Sequence, residues 1–567
     1  MKKYALFSAF VAVLCIATTA YGQQFDRKKL EKTIHTAIEK AYSSSVRIWA
    51  YDSVTKQQNS AQFSGVAVSP EGHILTVAHT TVPGQMYQVF FPEGKTYLAR
   101  ALGRIGFKDQ QNMPDMGMLK IIGSGDWPYA EMGFSSSLKV NEPCIGISYP
   151  ETLDQKLPTV RFGKITKTMI PEGFVESTCQ MEPGDSGGPL FDYMGRVIAL
   201  HSRIDRSEAR NFEVPVDLYR KYWTALQQAE DYSALPVQQD EIQKDPLAEK
   251  LISIKALEHL ADEFSVFDKQ YGAAVVAIES KLKGTVRAAQ STLFSVSGAH
   301  INGVAKKGNY LLAKSSIVGA DPVVLQKEGL NWKLKVLARD RDNDLVLMEL
   351  ESPQSVTGGI RIKSFEDTDT VTFKQLGKFL VAPLAGKRSK VGVLGSRNFS
   401  LPLKFSVGFF GAGANFQNEQ IILTRMAPSS PAEAGKLQLG DQITGINGVA
   451  ISRPEHYGGE LMKYLPGDSI SIQGIRAGNK FSLLVGLRSM PRPAEHTAEL
   501  FEGGKSLKLD GFKKVFSHDA VIRPEECGGP VFDADGNFYG LNIARFSRTS
   551  TLVMPKAVLY KFIAASI

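Results

Sequence analysis

A serine set among glycines is the first feature of this chain that could do covalent chemistry. Ser186 lies in Met181-Glu182-Pro183-Gly184-Asp185-Ser186-Gly187-Gly188-Pro189-Leu190. A serine hydroxyl attacks a carbonyl only when a base takes its proton and fixed donors receive the charge that develops on the carbonyl oxygen. Flanking glycines permit unusual backbone angles and let a substrate approach the main-chain N–H groups of Gly184 and Ser186. The same composition also describes a plain turn, so the other residues must decide. Upstream, Gly72-His73-Ile74-Leu75-Thr76-Val77-Ala78-His79-Thr80 is an apolar run ending in a histidine. Between the two, Pro114-Asp115-Met116-Gly117-Met118-Leu119-Lys120-Ile121 is an aspartate opening another apolar run. Histidine, aspartate and serine in that chain order form one of the known solutions of a nucleophilic triad.

The elements that must position these side chains read as short strands. From Val46 to Ile122, β-rich runs are broken by Pro-Glu-Gly at 70–72 and 92–94, turns that suit the hairpins of an antiparallel barrel. A second set of strands runs from Pro143 to Arg203. The words Leu75-Thr76-Val77-Ala78-His79, Asp115 to Ile121 and Gly184-Asp185-Ser186-Gly187-Gly188-Pro189 resemble the chymotrypsin-fold serine proteases, and among them the HtrA/Deg proteases of bacteria. The resemblance covers residues from about Ile34 to Tyr222. It implies that His79 is the general base, that Asp115 orients it, and that the amides of Gly184 and Ser186 form the oxyanion hole of a cleft between two barrels. By the same resemblance, enzymes that cut after Lys or Arg carry an aspartate six positions before the nucleophile, where this chain has Gln180. With Leu200, His201 and Ser202 expected as the other wall, the pocket should favour small or medium apolar side chains over basic ones. His201 is read as a pocket or surface residue, not a second base.

At 567 residues the chain is too long for one core and predicts roughly three or four domains. Its 43% hydrophobic and 22% charged content are those of a globular protein. The net charge of +8 is spread along the chain, so no nucleic-acid surface is expected. Lys2 and Lys3 precede an apolar run from Ala5 to Ala17 and then small residues, the pattern of a cleaved signal peptide over residues 1–22. Periplasmic or secreted localisation follows. Three cysteines then remain, Cys144, Cys179 and Cys527, an odd count that does not make a disulfide framework. Cys144 and Cys179 are read as buried free thiols. No metal or cofactor motif is found.

Apolar residues at helical spacing (Leu30, Ile34, Ile38, Ala41) predict a helix packed on the first barrel. Residues 236–262 read as a polar linker. Beyond it the pattern repeats: Tyr271 to Ile278, Gly308 to Val318, Asn343 to Leu350 and Pro524 to Asp533 parallel the opening, histidine, aspartate and serine words. Counting without gaps from Gly308 puts Ser315 in the histidine slot, or Lys314 with a one-residue shift. Asp344 stands in the aspartate slot and Cys527 in the serine slot, with Glu525 where the first oxyanion loop has a glycine. Neither Lys314 nor Ser315 can serve as a base at neutral pH without a large perturbation, so this unit reads as a pseudoprotease.

Inside it, Ser406 to Ala412 followed by Met426 to Gly448, with Ala434-Gly435-Lys436-Leu437-Gln438-Leu439-Gly440-Asp441-Gln442-Ile443, resembles a PDZ domain. By resemblance, Phe410-Gly411-Ala412 is the loop that would hold a peptide C-terminus. The expected fold is mainly β: two chymotrypsin-like double β-barrel domains with a PDZ domain inserted in the second. The expected division is a protease domain over 23–235, a linker over 236–262, a pseudoprotease over 263–404 and 491–567, and a PDZ domain over 405–490. The function expected is endoproteolysis of unfolded or exposed polypeptides, with peptide C-termini bound at the PDZ groove; the alternative is a non-catalytic peptide-binding or chaperone-like protein. A homo-oligomer is compatible with the resemblance, and no residue demonstrates one.

Overall fold

The computed structural model describes residues 26–106, 114–327, 330–351, 358–366, 371–490 and 496–567. The expected signal peptide lies outside them. Among the described residues no helix is long and apolar enough to cross a membrane.

Strands dominate, and they close into barrels. The first ring runs Thr96–Ile105, Met86–Phe90, Ser45–Asp52, Phe63–Ala67, His73–Thr76 and Met116–Ile121, which pairs back onto Thr96–Ile105. The second is a closed barrel of Val175–Ser177, Asn211–Pro215, Val197–Ile204, Pro189–Asp192, Pro143–Ser148 and Thr159–Lys167. Inward-facing aliphatic residues fill them, as alternation in an antiparallel strand requires: Val46, Ile48, Ile74, Val89 and Leu119 in the first, and Cys144, Ile165, Val175, Leu190 and Ile198 in the second.

A second pair of sheets repeats this plan. Val275–Leu282, Ala320–Lys327, Leu330–Asp340, Leu345–Leu350, Val304–Lys314 and Thr285–Ile301 form another ring, the last strand pairing with the first. A six-stranded sheet then runs Lys387–Val393, Phe379–Leu384, Pro530–Asp533, Phe538–Arg545, Thr551–Pro555 and Phe516–His518. A bridge between Leu394 and His518 brings its ends together. Between Val393 and Phe516 the chain forms a separate six-stranded sheet, Ala412–Gln417 to Asn479–Gly486, with the helix Pro454–Leu461.

Two expectations change here. The helix Arg27–Ala41 is not confined to the first barrel, some of whose residues share its core. Its Leu30, Ile34 and Ile38 share a core with Ile145 and Phe191 of the second barrel and with Leu376 and Phe379 of the second unit. The geometry explains this: Phe379 N–H donates to Glu31 Oε2 at 2.9 Å, and a Cβ at Gly377 would meet Ile38 at 2.4 Å. The stretch 236–262 is no free spacer either. Asp245 is buried against Arg196 at 2.9 Å, and Ile254 N–H donates to Asn141 O at 2.9 Å, so it is strapped along the second barrel.

Candidate active site

The strand His73–Thr76 runs into a short turn, Ala78–Thr80, that puts His79 at the rim between the first two barrels. Asp115 stands directly before the strand Met116–Ile121, which pairs with His73–Thr76. Its carboxylate is anchored twice, accepting from the His79 backbone N–H at 3.0 Å and facing His79 Nδ1 at 2.6 Å. Ser202 adds a third bond, its Oγ donating to Asp115 Oδ2 at 2.9 Å. Burial by itself would raise the Asp115 carboxyl, yet the bonds from His79 and Ser202 outweigh it and hold the group below its ordinary value. An ionised carboxylate on Nδ1 requires the proton there, which leaves Nε2 as the acceptor. Ser186 Oγ lies 3.0 Å from that Nε2. The three residues that the sequence separates by up to 107 positions are thus joined by three hydrogen bonds, two of them between side chains.

The loop before Ser186 is held from both sides. Ser64 N–H donates to Ser186 O at 2.9 Å, Ser64 Oγ to Gly184 O at 2.8 Å, and Glu151 N–H to Pro183 O at 2.8 Å. Gly184 has φ +96°, and a Cβ there would come 2.3 Å from the Glu151 nitrogen, so only glycine fits. The amides of Gly184 and Ser186 have no hydrogen-bond partner among the described residues, while those of Asp185, Gly187 and Gly188 are all bonded. Two orphan donors beside a hydroxyl are what an oxyanion requires.

Beneath the loop, Arg161 grips Asp185. Arg161 Nη1 lies 2.7 Å from Asp185 Oδ2 and Nη2 lies 3.0 Å from Oδ1, both side chains being fully buried. Sequence reasoning missed this contact. A lone arginine in the apolar strand Val160-Arg161-Phe162 was the available signal, but nothing local names a partner 24 residues away.

The cleft of about 480 Å³ is lined by Phe63, His79, Met181, Gly184, Ser186 and Ile204, among others. Of the four expected pocket residues only Ser202 reaches it. Leu200 and His201 lie earlier on the strand Val197–Ile204 and are fully buried in the barrel, and Gln180 lines a different depression beside Lys164 and Asp519. The wall is formed instead by Ser202-Arg203-Ile204, because the expectation was placed two residues too early. Burial, with Arg161 adding to it, lowers His201 to about 3, so it is a neutral core residue. Two residues from far along the chain, His496 and Thr497, also line the cleft.

The second unit keeps the frame with different chemistry. Asp344 precedes Leu345–Leu350 as Asp115 precedes Met116–Ile121, and Ala313 pairs with Val346 as Thr76 pairs with Gly117. Ser316, not Ser315 or Lys314, is therefore the counterpart of His79. Ser316 N–H donates to Asp344 Oδ1 at 2.6 Å and its Oγ to Oδ2 at 2.8 Å. The counting error arose because the strand Val304–Lys314 continues to within two residues of this position. Lys314 turns inward and pairs with Asp344 at 2.5 Å, and Ser315 Oγ accepts from Arg339 at 2.9 Å. Cys527 is fully buried, and burial raises its thiol. Its N–H donates to Pro524 O at 3.3 Å from a 3₁₀ turn over Pro524–Glu526, so the amide is turned away from any oxyanion. Cys144 and Cys179 are likewise buried free thiols.

In the inserted module, Phe410 and Gly411 precede Ala412, the first residue of the sheet's edge strand Ala412–Gln417. The Phe410 and Gly411 amides have no partner among the described residues, while their carbonyls accept from Ala432 and Ala427. Ala412 O accepts from Tyr457 Oη at 3.0 Å, which ties the neighbouring helix across one end of the edge.

Family models agree with both regions. A trypsin-like peptidase domain matches residues 63–200 and a PDZ domain matches 399–457. A DegP-like periplasmic serine endoprotease of Pseudomonas savastanoi pv. phaseolicola is 25% identical over 436 residues, 73% of this chain and 76% of that protein. A DegP-like periplasmic serine endoprotease of Halomonas elongata is 28% identical over 27% of this chain and 33% of its own length. The serine protease HhoA of Synechocystis is 30% identical over 28% of this chain and 40% of its own. With a trypsin-like peptidase domain and a PDZ domain on one chain, this is a serine endopeptidase of the trypsin fold, similar to the DegP-like periplasmic proteases.

Proposed function

We propose that the chain is an exported endopeptidase that cleaves unfolded or exposed polypeptides at Ser186, with the second unit catalytically silent and the PDZ module recruiting peptide ends. The observation that carries the reading is the 3.0 Å contact from Ser186 Oγ to the unprotonated Nε2 of His79. Ser186 Oγ attacks the scissile carbonyl while His79 takes its proton, and Asp115 stabilises the resulting imidazolium. The Gly184 and Ser186 amides receive the oxyanion. His79 then protonates the leaving amine, and a water activated by the same imidazole releases the acyl group. The second unit lacks an imidazole at Ser316 and lacks a free donor at Cys527, which supports its silence. The outer edge of Ala412–Gln417, which no strand among the described residues pairs, supports peptide docking as an added strand. Export rests on the sequence pattern of residues 1–22 and on the periplasmic naming of the relatives.

A fluorophosphonate probe tests the nucleophile. Labelling and casein hydrolysis should both vanish in Ser186→Ala while the fold survives, since a half-buried hydroxyl adds little to packing. A wild-type chain that never labels would make this a binding protein instead.

A further inference from the structure

The two units carry one strand frame, and register fixes which residues correspond. The pair Val197–Ile204 with Asn211–Pro215 and the pair Phe538–Arg545 with Thr551–Pro555 share the same register and the same irregularity. His201 thus matches Asn542, and Ile204 matches Arg545. The loops agree: Gly187 N–H donates to His201 O and Gly528 N–H to Asn542 O, each at 2.8 Å. In the first unit, Ser202-Arg203-Ile204 forms a wall of the open cleft.

In the second unit the matching edge is covered by the chain itself. Ser506 N–H donates to Arg545 O and Arg545 N–H donates to Ser506 Oγ, both at 3.0 Å, with Ser506 Oγ 3.9 Å from Cys527 Sγ. Lys314 Nζ donates to Lys508 O at 2.6 Å, and Leu509 is buried in the core. Residues 505–510 therefore lie where a substrate strand would lie if this cleft were live. Followed backwards, the same strap reaches the first unit. Glu502 N–H donates to Glu208 Oε2 at 3.2 Å, just beyond the wall strand, and exposed His496 and Thr497 line the live cleft. His496 Nδ1 accepts from Ala498 N–H at 3.1 Å, which fixes the hydrogen of the neutral ring on Nε2 as a donor.

We propose that the strap 496–510 is a wall shared by both units: the silent cleft clamps residues 505–510 so that His496 and Thr497 contact the polypeptide bound in the live cleft and help select it. The occupant is an extended chain with a hydrogen-bond acceptor, backbone or side-chain, opposite these two donors. The silent unit thereby contributes to specificity without doing chemistry. This inference rests on Ser186 being the nucleophile.

The experiment uses the full chain and a panel of internally quenched peptides, with live enzyme counted by fluorophosphonate labelling. His496→Ala and Thr497→Ala should each raise KM roughly 3- to 10-fold, leave kcat within about twofold, and reorder the preferred peptides. Ser506→Pro, which cannot donate to Arg545, should raise KM in the same direction although it alters only the silent cleft. If that variant folds poorly, Ser506→Ala removes the hydroxyl contact and keeps the amide. Unchanged KM and peptide ranking across the set would overturn the proposal. A fall in KM would do so too, since it would make the strap a lid. A wild-type enzyme that does not label would sink the nucleophile assignment, a failure distinct from either.

Discussion

Arg161→Met would remove the guanidinium that holds Asp185, and with it the support of the nucleophile loop. The pair is bidentate at 2.7 and 3.0 Å and fully buried on both sides. At an effective interior dielectric of about 20, unit charges at this separation attract by about 6 kcal/mol. Desolvation of both ions offsets much of that attraction, so the pair's net contribution is small. Breaking it is another matter, because Asp185 would remain buried without its cation, at a cost of about 3–5 kcal/mol. Arg161 also donates to Gln180 O at 3.1 Å, so the segment leading into the loop loses a bond as well. Asp185 is the residue before Ser186, and its displacement moves the two oxyanion amides. Loss of one such donor costs on the order of 100-fold in turnover. Urea unfolding and fluorophosphonate labelling rates would measure the two effects in Arg161→Met, Asp185→Asn and the double variant. The double variant should be more stable than the sum of the singles by about 1–3 kcal/mol, since it removes both charges together. Additive energies, or labelling at the wild-type rate in Arg161→Met, would refute the argument.

Further outcomes follow from the same geometry. Casein hydrolysis should fall as pH drops, because a protonated His79 cannot accept from Ser186; a rate that stays flat into acid would remove the imidazole as base. Acid should also weaken the fold through His201, whose value of about 3 lies below the ordinary 6.5. Between those values the unfolded chain binds a proton that the folded one refuses, so stability is lost as pH falls, by about 1.4 kcal/mol per pH unit. His201→Asn, the residue found at the matching position 542, should flatten that slope in urea unfolding at a series of pH values. Cys527→Ser should leave hydrolysis unchanged, and native protein should resist iodoacetamide at this buried thiol; lost activity would mean the second unit is not silent. Gly411→Val should cut the rate on unfolded proteins while short peptides are cleaved normally, although through a disrupted loop: φ is +79° and a Cβ would meet Ser430 Cβ at 2.3 Å.

What was legible in the sequence was whatever chemistry confines to a short word. His79, Asp115 and Ser186 each carry a local signature, and the parallel words around Asp344 and Cys527 revealed the repeat. Position within a word was less secure: Ser316 was missed by one residue because strand length differs between the units, and a gapless count cannot see that. The pocket wall slipped for a related reason, since Val197 to His201 are all buried and exposure begins only at Ser202, a boundary that the sequence alone does not mark. Contacts made across long loops left no trace. Arg161 with Asp185, and Thr497 on the cleft that His79 also lines, depend on how whole barrels face each other.

The helix Arg27–Ala41 inserts Ile34 and Ile38 between the two units, and Val160 N–H donates to Gly395 O at 2.8 Å across their seam. Phe162 N–H donates to Asp519 Oδ2 at 2.8 Å alongside. A gene truncated after the first unit would thus encode a chain with part of its interior exposed and main-chain donors left without acceptors. Whatever chemistry the second unit keeps or lacks, its surface is a folding requirement of the first.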